Sequence, residues 1–89
     1  MTGAELIALE RQRQIDEEGY TIEGDKKYQR DQLVYAALSY LLALDEKCSM
    51  PLTWPWTERY WKPRKRISNL IRAGALICAE IDRLQNLNK

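Results

Sequence analysis

The sequence predicts an all-α fold, a single small domain over residues 1–89 with three helices and a long loop before the last helix. Three observations support this prediction. A capping signal opens the chain, two later segments carry apolar residues at spacings of three and four, and the prolines fall outside or at the ends of those segments. A chain of 89 residues forms one domain, because only longer chains divide.

Composition excludes several classes of protein. With 45% hydrophobic and 30% charged residues the chain is typical of a globular protein, and no apolar run reaches the roughly 18–20 residues of a membrane span. We therefore expect a soluble, cytoplasmic protein with no membrane partner. The chain has no histidine, which excludes histidine-based catalysis and histidine metal ligands. Cys48 and Cys78 are too few for a disulfide framework or a thiolate zinc site.

The first predicted helix begins at a capping box. Thr2 and Glu5 stand three residues apart, so that the hydroxyl and the carboxylate each bond the other residue's free amide. The helix should continue to about Glu18 and end at Gly19, which tolerates a left-handed backbone. Its apolar residues are sparse, which predicts a thin stripe facing the core.

The second helix should begin near Asp25 or Lys27 and end at about Asp45. Apolar residues cover more than half of its circumference, which predicts a buried helix. They are Leu33, Val34, Ala37, Leu38, Leu41, Leu42 and Leu44. Residues 46–62 hold three tryptophans and two prolines in a long loop, and loops of this length are usually functional or packed by their own side chains.

The third helix should run from Pro63 to about Leu87, because proline suits the first turn of a helix. Its apolar residues follow a three-four-three-four-three spacing, typical of a seam that packs on another helix. They are Ile67, Leu70, Ile77, Ile81 and Leu84, with Gly74 within the seam. We expect this seam in a core, and whether its partner lies within the chain stays open. We also expect a homo-oligomer, which would compensate for the small core.

Several short motifs in fixed order resemble a family of small phage and prophage proteins. They are Glu10–Gln14 (ERQRQ), Glu18–Thr21 (EGYT), Trp54–Trp56 (WPW), Trp61–Pro63 (WKP), Arg72–Ile77 (RAGALI) and Ala79–Leu84 (AEIDRL). The resemblance covers nearly the whole chain and implies a location in the cytoplasm of the host cell. More distantly, the arrangement is similar to the MazG-like all-α nucleoside triphosphate pyrophosphohydrolases.

The resemblance to the pyrophosphohydrolases implies paired acidic residues that bind magnesium, an ExxE pair on one helix and an ExxD pair on the next. The chain departs from that pattern, since the second helix has only Asp31 before its end and Glu80 and Asp82 stand two apart. Hard cations need several carboxylate oxygens at one place. We therefore expect no catalysis and no cofactor. If the enzyme alternative holds, magnesium would bind Glu17, Glu18, Asp25 and Glu80.

Charge is segregated along the chain although the net charge is only +1. Residues 54–72 contain six basic residues and one acidic residue, a local balance of +5, which leaves −4 for the rest. One concentrated positive segment indicates a local anion site. It does not indicate a surface for a nucleic-acid polymer.

The same basic segment carries Trp54, Trp56, Tyr60 and Trp61. Stacking of an aromatic ring on a nucleobase contributes about 1–3 kcal/mol to binding, and one arginine can donate two parallel hydrogen bonds to phosphate oxygens. The alternative is that the tryptophans fill a small core.

Residues 63–66 should form the first turn of the last helix, where cations are unfavourable by roughly 0.3–1 kcal/mol. Two kinds of negative charge would compensate for these cations. One is a phosphate bound to the free amides, and the other is the acidic residues of the first helix, Asp16, Glu17 and Glu18.

The leading hypothesis is a protein that binds a nucleotide or cyclic nucleotide without turnover. The phage resemblance implies that it could sequester a signal of the host's defence. The predicted ligand-binding residues are Arg11, Gln14, Arg59, Trp61, Lys62, Arg64, Lys65 and Arg66, although Arg11 and Gln14 could equally belong to a solvated helix face. Two alternatives stay open, a magnesium-dependent pyrophosphohydrolase and a helical module for protein–protein interaction.

Overall fold

A computed structural model of the chain describes residues 1–18 and 31–87. These residues form helix α1 (Gly3–Glu18), helix α2 (Gln32–Leu42), a short 3-10 turn (Glu58–Tyr60) and helix α3 (Arg66–Leu87), with no strand in the described ranges. Helix α3 is central because it packs against both of the other helices. The all-α prediction is confirmed, and none of these helices has the length and apolar character to cross a membrane.

The capping box at the start of α1 is confirmed. The Thr2 backbone N–H donates to Glu5 Oε1 at 2.9 Å, and the Glu5 N–H donates to Thr2 Oγ1 at 3.2 Å. Because the Thr2 amide bonds its charged form, the carboxyl group of Glu5 has a pKa below its ordinary value. Helix α1 continues to Glu18 as predicted, and Gly19 lies outside the described residues.

Helix α2 is shorter than predicted. The predicted starts at Asp25 and Lys27 lie outside the described residues, and α2 begins at Gln32 after Asp31, whose φ of 71° interrupts helical geometry. The predicted end at Asp45 is wrong, because α2 ends at Leu42 and the next residue is extended.

The core is built where α2 and α3 meet. Small side chains dominate the contact, which lets the two helices approach closely. The buried apolar residues of the core cluster are Leu33, Ala36, Ala37, Tyr40, Trp54, Ala73, Leu76 and Ala79. The opposite face of α2 is exposed at Val34, Leu38 and Leu41, so this helix is buried on one side only.

The loop after α2 lies on the core through its own side chains. The hydroxyls of Ser39 and Thr53 bond at 2.7 Å, which ties the loop to α2. The ring of Trp61 stacks on Tyr40 with a centroid distance of 4.9 Å. A long loop packed by its own aromatic residues is one of the two outcomes that its length predicted.

The predicted start of α3 is wrong, because the helix begins at Arg66 rather than Pro63. The predicted seam does not lie in the core of this chain, so of the two expected cores only the one in a homo-oligomer stays a prediction. The apolar seam residues Ile67, Leu70, Ile77, Ile81 and Leu84 are 40–70% exposed. The buried face carries alanines with Leu76, because small side chains let α3 contact two helices at once.

Gly74 is the seam position that contacts another helix. We therefore expect the effect of Gly74→Ala on stability to change sign when the side chain of Ile7 is removed. A Cβ atom there would lie 2.6 Å from Cδ1 and 2.9 Å from Cγ1 of Ile7 on α1. We expect Gly74→Ala to destabilise the protein by about 1 kcal/mol, because the displacement of Ile7 outweighs the gain in helix propensity.

In the Ile7→Ala background the same substitution should stabilise by about 1 kcal/mol, since only the helix propensity is left. Urea denaturation of the four proteins in this double-mutant cycle measures both values. A stabilising Gly74→Ala in the presence of Ile7 would show that the contact between α1 and α3 does not require glycine.

Candidate ligand-binding cleft

A cleft of about 1010 Å³ opens between α1, the loop and α3. This is at the upper end of the usual volume of small-molecule sites, roughly 300–1,000 Å³. Its wall is formed by Glu10, Arg13, Gln14, Glu17, Tyr40, Trp54, Pro55, Trp56, Thr57, Tyr60, Lys62, Arg64, Arg72 and Leu76. The wall therefore combines aromatic rings, four basic side chains and two carboxylates.

Helix α1 supplies one wall because its inward face changes character along its length. Near the N-terminus Ile7 packs on Gly74 of α3. One, two and three turns later the same face carries Glu10, Gln14 and Glu17, which line the cleft. A helix face that is apolar at one end and polar at the other thus both anchors α1 and lines the cleft.

The aromatic residues divide into a packed layer and a cleft wall. Trp54 lies 5.5 Å from Tyr40 and 5.0 Å from Trp61 between ring centroids, and both indole N–H groups bond backbone carbonyls within the loop. The core interpretation therefore holds for Trp54 and Trp61, and Trp56 also packs against the core on one side. Trp61 does not line the cleft. Trp56 and Tyr60 are the more exposed aromatic residues of the wall.

Three basic residues on the wall come from the basic segment 54–72, Lys62 and Arg64 before α3 and Arg72 within it. Arg72 Nη1 donates to the Lys62 carbonyl at 2.8 Å, and the guanidinium lies 5.6 Å from the ring centroid of Tyr40. The side chains of Lys62 and Arg64 are exposed. None of the six basic residues of segment 54–72 forms a salt bridge with an acidic residue in the described part of the chain.

Asn69 fixes the backbone from which Arg64 extends. Its fully buried amide accepts from the Arg64 N–H at 2.7 Å and donates to the carbonyls of Arg64 at 2.7 Å and Ala43 at 3.1 Å. The side chain therefore joins the start of α3 to the end of α2. It also occupies the Arg64 amide that the sequence analysis offered to a phosphate.

Arg66 has a different role from the predicted one. Its Nη1 donates to the carbonyls of Leu41 at 2.6 Å and Ala43 at 3.0 Å. The C-terminus of a helix carries partial negative charge, so this cation is favourable at the end of α2. Neither a phosphate nor the acidic residues of α1 is needed to explain it, and Arg64 and Lys65 precede α3 rather than forming its first turn.

A polar network on α1 borders the cleft. Arg13 donates to both oxygens of Glu10 at 2.7 and 2.6 Å and to Glu17 at 3.1 Å. Gln14, which is only 2% exposed, donates from Nε2 to Glu10 Oε2 at 3.4 Å. Its Oε1 is buried and has no hydrogen-bond partner among the described residues. An unpaired buried acceptor costs about 1–3 kcal/mol.

Three of the eight predicted ligand-binding residues line the cleft: Gln14, Lys62 and Arg64. Arg11 instead bonds Asp82 at 3.1 Å and is mostly buried between α1 and α3. Arg59 lies over the ring of Tyr60 at 5.1 Å, and Lys65 is exposed and does not line the cleft. Trp61 and Arg66 lie in the packed layer and at the end of α2.

The acidic residues predicted for magnesium are not brought together where they can be described. Glu17 bonds Arg13 on the cleft wall, whereas Glu80 bonds Arg83 at 2.6 Å and does not line the cleft. Asp25 and the side chain of Glu18 lie outside what the structure describes. In the described ranges no group of three or more cysteine, aspartate or glutamate side chains is arranged to hold a metal ion.

Three residues of the cleft, Arg13, Tyr40 and Arg72, were not predicted from the sequence. Arg13 carries a local signal, since Glu10, Gln14 and Glu17 recur at spacings of four and three where the apolar stripe of α1 should continue. Tyr40 and Arg72 carry no such signal. They reach the cleft only because α2 and α3 pack together.

Comparison of the chain with protein-family models, with curated proteins and with solved structures found no match. The resemblance to a phage family and to the pyrophosphohydrolases therefore stays a prediction. What bears on function is the cleft itself, with its aromatic wall, its basic residues and its buried amide.

The bonds of Asn69 predict a large loss of stability on its removal. We expect Asn69→Ala to lower the free energy of unfolding by about 2–4 kcal/mol, because it leaves the Arg64 amide unpaired and opens a void. Asn86→Ala is the matched control, since that side chain makes one bond, to the Asp82 carbonyl near the end of α3. It should cost less than about 1 kcal/mol in the same urea titration. Equal losses in the free energy of unfolding for both variants would show that the bonds of Asn69 stabilise the protein no more than the single bond of Asn86.

Proposed function

We propose that the cleft binds a nucleotide or cyclic nucleotide and holds it without turnover. The observation that carries this proposal is the pairing of two exposed cations, Lys62 and Arg64, with Trp56 and Tyr60 on one cleft wall. A nucleotide has the complementary chemistry, a flat aromatic base joined to an anionic phosphate. The resemblance to phage proteins adds the cellular role, removal of a nucleotide signal used in the host's defence.

The phosphate would lie between Lys62 and Arg64. Arg72 bonds the Lys62 carbonyl, and Asn69 bonds both backbone groups of Arg64, so the backbone of each residue is held in place. Arginine binds phosphate oxygens through two parallel hydrogen bonds, and lysine adds a mobile point charge. Because neither side chain is neutralised by a described acidic residue, both charges are available to an anion.

The base would stack on the aromatic wall. Trp56 meets Trp54 edge to face, with a centroid distance of 5.2 Å and an interplanar angle of 89°. The buried ring of Trp54 therefore supports Trp56 from behind. Stacking of a base on such a ring contributes about 1–3 kcal/mol and tolerates every base.

Binding without turnover is supported by the state of the two cleft carboxylates. Glu10 and Glu17 both accept hydrogen bonds from Arg13. A carboxylate oxygen that accepts a hydrogen bond from arginine has fewer lone pairs open to magnesium or to a reacting water molecule. The enzyme alternative would be favoured instead if pyrophosphate or phosphate accumulated from a nucleoside triphosphate in the presence of magnesium.

We expect nucleoside mono- and triphosphates and cyclic mononucleotides to raise the melting temperature of the protein, since a ligand that binds only the folded state stabilises it by mass action. Lys62→Ala combined with Arg64→Ala should weaken the affinity for the ligand with the largest shift at least tenfold by calorimetry. A tenfold loss corresponds to about 1.4 kcal/mol, a modest value for two charged contacts.

Arg59→Ala combined with Lys65→Ala is the matched control, because it removes the same charge from the same segment outside the cleft. It should leave the affinity within about threefold of the wild type after correction for ionic strength. If both double variants weaken binding equally, the loss of affinity comes from the reduced net charge of the segment and not from specific contacts of Lys62 and Arg64. The proposal fails if no nucleotide raises the melting temperature.

We also propose that a second copy of the chain covers the exposed apolar stripes of α2 and α3. Large apolar side chains at 37–70% exposure lie on both helices. They are Val34, Leu38, Leu41, Ile67, Leu70, Ile77, Ile81 and Leu84. Single exposed apolar residues are normal, but a group of this size on two packed helices is typical of an interface.

A second copy fits these stripes because the seam of α3 has the 3.5-residue period of helices that pair with their own kind. A two-fold symmetric contact places the same stripe on both sides. A standard interface takes roughly 800 Å² from each partner, and large exposed apolar side chains are typical of its centre.

Light scattering after gel filtration tests the proposed oligomer. We expect a dimer or larger assembly for the wild type and a monomer with unchanged helical content for Ile81→Glu, because the buried charge is unfavourable in an interface. Leu52→Glu is the control, since Leu52 is fully exposed in the loop and away from both stripes. A monomeric wild type at high micromolar concentration would refute the proposal and leave the interaction-module alternative.

A further inference from the structure

Gln14 has a buried amide oxygen for which the described part of the chain provides no partner. The side chain lines the cleft although the residue is only 2% exposed. Native structures leave few buried polar atoms unpaired, and those that remain unpaired in clefts are candidates for contact with a ligand. This oxygen is therefore the most specific feature of the wall.

The orientation of the Gln14 amide is fixed by its neighbour. Glu10 receives three contacts from Arg13 and Gln14, and its ionised carboxylate is only an acceptor. The Nε2 of Gln14 must therefore face Glu10, because the flipped amide would bring two acceptors together. It follows that Oε1 points away from Glu10 and is available only to a hydrogen-bond donor.

A phosphate cannot satisfy this oxygen, because phosphate oxygens at neutral pH are acceptors. The cleft wall therefore carries two chemically different kinds of group, the cations Lys62 and Arg64 for an anion and the Gln14 oxygen for a donor. The aromatic rings of Trp56 and Tyr60 line the same cleft. A molecule with a phosphate at one end, a flat ring and an N–H donor on the ring edge would fit all three features.

We infer that Gln14 Oε1 accepts a hydrogen bond from the exocyclic amino group of the bound base, so that the cleft selects amino-bearing nucleotides. This inference rests on the proposed function, since it names the base that the same site prefers. The oxygen is shielded from water, so a ligand must move a neighbouring side chain to reach it. The bond then forms without competition from water, which increases its contribution to selectivity.

Three pairs of 5′-monophosphates test the inference, each differing by one amino group: AMP against purine riboside monophosphate, GMP against IMP, and CMP against zebularine monophosphate. We expect the amino-bearing member of at least one pair to bind about ten- to hundredfold more tightly, the range typical of one buried hydrogen bond. Gln14→Leu should reduce that preference to less than about threefold.

Gln12→Leu is the matched control on the same helix, because Gln12 is exposed and bonds only Asp16 at 3.0 Å. It should keep the full preference for the amino group. A second measurement separates a binding role from a structural one. Without ligand, Gln14→Leu should be at least as stable as the wild type, because an apolar side chain of similar volume replaces an unpaired acceptor.

The outcomes of this experiment are distinct. Equal affinity of both members in every pair, with binding still dependent on Lys62 and Arg64, would overturn the inference and leave the proposed function standing. An amino preference that Gln14→Leu does not reduce would also overturn it, because another residue would then recognise the amino group. If none of the six monophosphates binds, this inference is overturned, whereas the proposed function fails only if triphosphates and cyclic nucleotides also leave the melting temperature unchanged.

Discussion

The side chain of Asn69 is the constraint on which the rest of the structure depends. Its amide bonds the backbone of Arg64 and Ala43 and so ties the end of α2 to the start of α3. Because those two helices form the core, this one buried group sets their register and the point at which each begins or ends. It also holds the backbone of Arg64, whose side chain lines the cleft. Fold and candidate site are therefore joined at one residue, and a change in the core contact would also move the cationic end of the cleft.

The network of Arg13, Glu10 and Gln14 gives α1 two tasks. Its first turns pack on α3, whereas its later turns present polar side chains to the cleft from the same face. Apolar residues at positions 10 and 14 would extend the core and strengthen the packing of a small domain. Polar residues at such positions, one of them with an unpaired oxygen, are the kind of local conflict with folding that functional sites contain. The thin apolar stripe of α1 is thus explained by the cleft rather than by a weak helix.

The sequence predicted what depends on local pattern, namely three helices, the capping box at Thr2 and a long loop before the last helix. It did not predict which face of α3 is buried within this chain, because two stripes share the same period. Positions 67, 70, 74, 77, 81 and 84 form the more apolar stripe, but the buried stripe holds Asn69, Ala73, Leu76, Glu80 and Arg83. Hydrophobicity does not mark the stripe that this chain buries, because Asn69 and the Glu80–Arg83 pair are buried through their bonds. The end of α2 was missed for the same reason, since Arg66 bonds carbonyls 23 and 25 residues away and leaves no local pattern.

The basic segment shows why a cluster of charge in a sequence is an incomplete guide to a site. Its six cations separate into three pairs with different environments. Arg66 and Arg72 bond backbone carbonyls and hold α2, α3 and the loop together. Arg59 and Lys65 are exposed outside the cleft. Only Lys62 and Arg64 combine an exposed charge with a fixed backbone on the cleft wall. A folded chain can place cations at helix ends and over aromatic rings as readily as at an anion site. These uses can be distinguished only when the hydrogen-bond partner of each cation is known. That partner is determined by the tertiary fold and not by the local sequence.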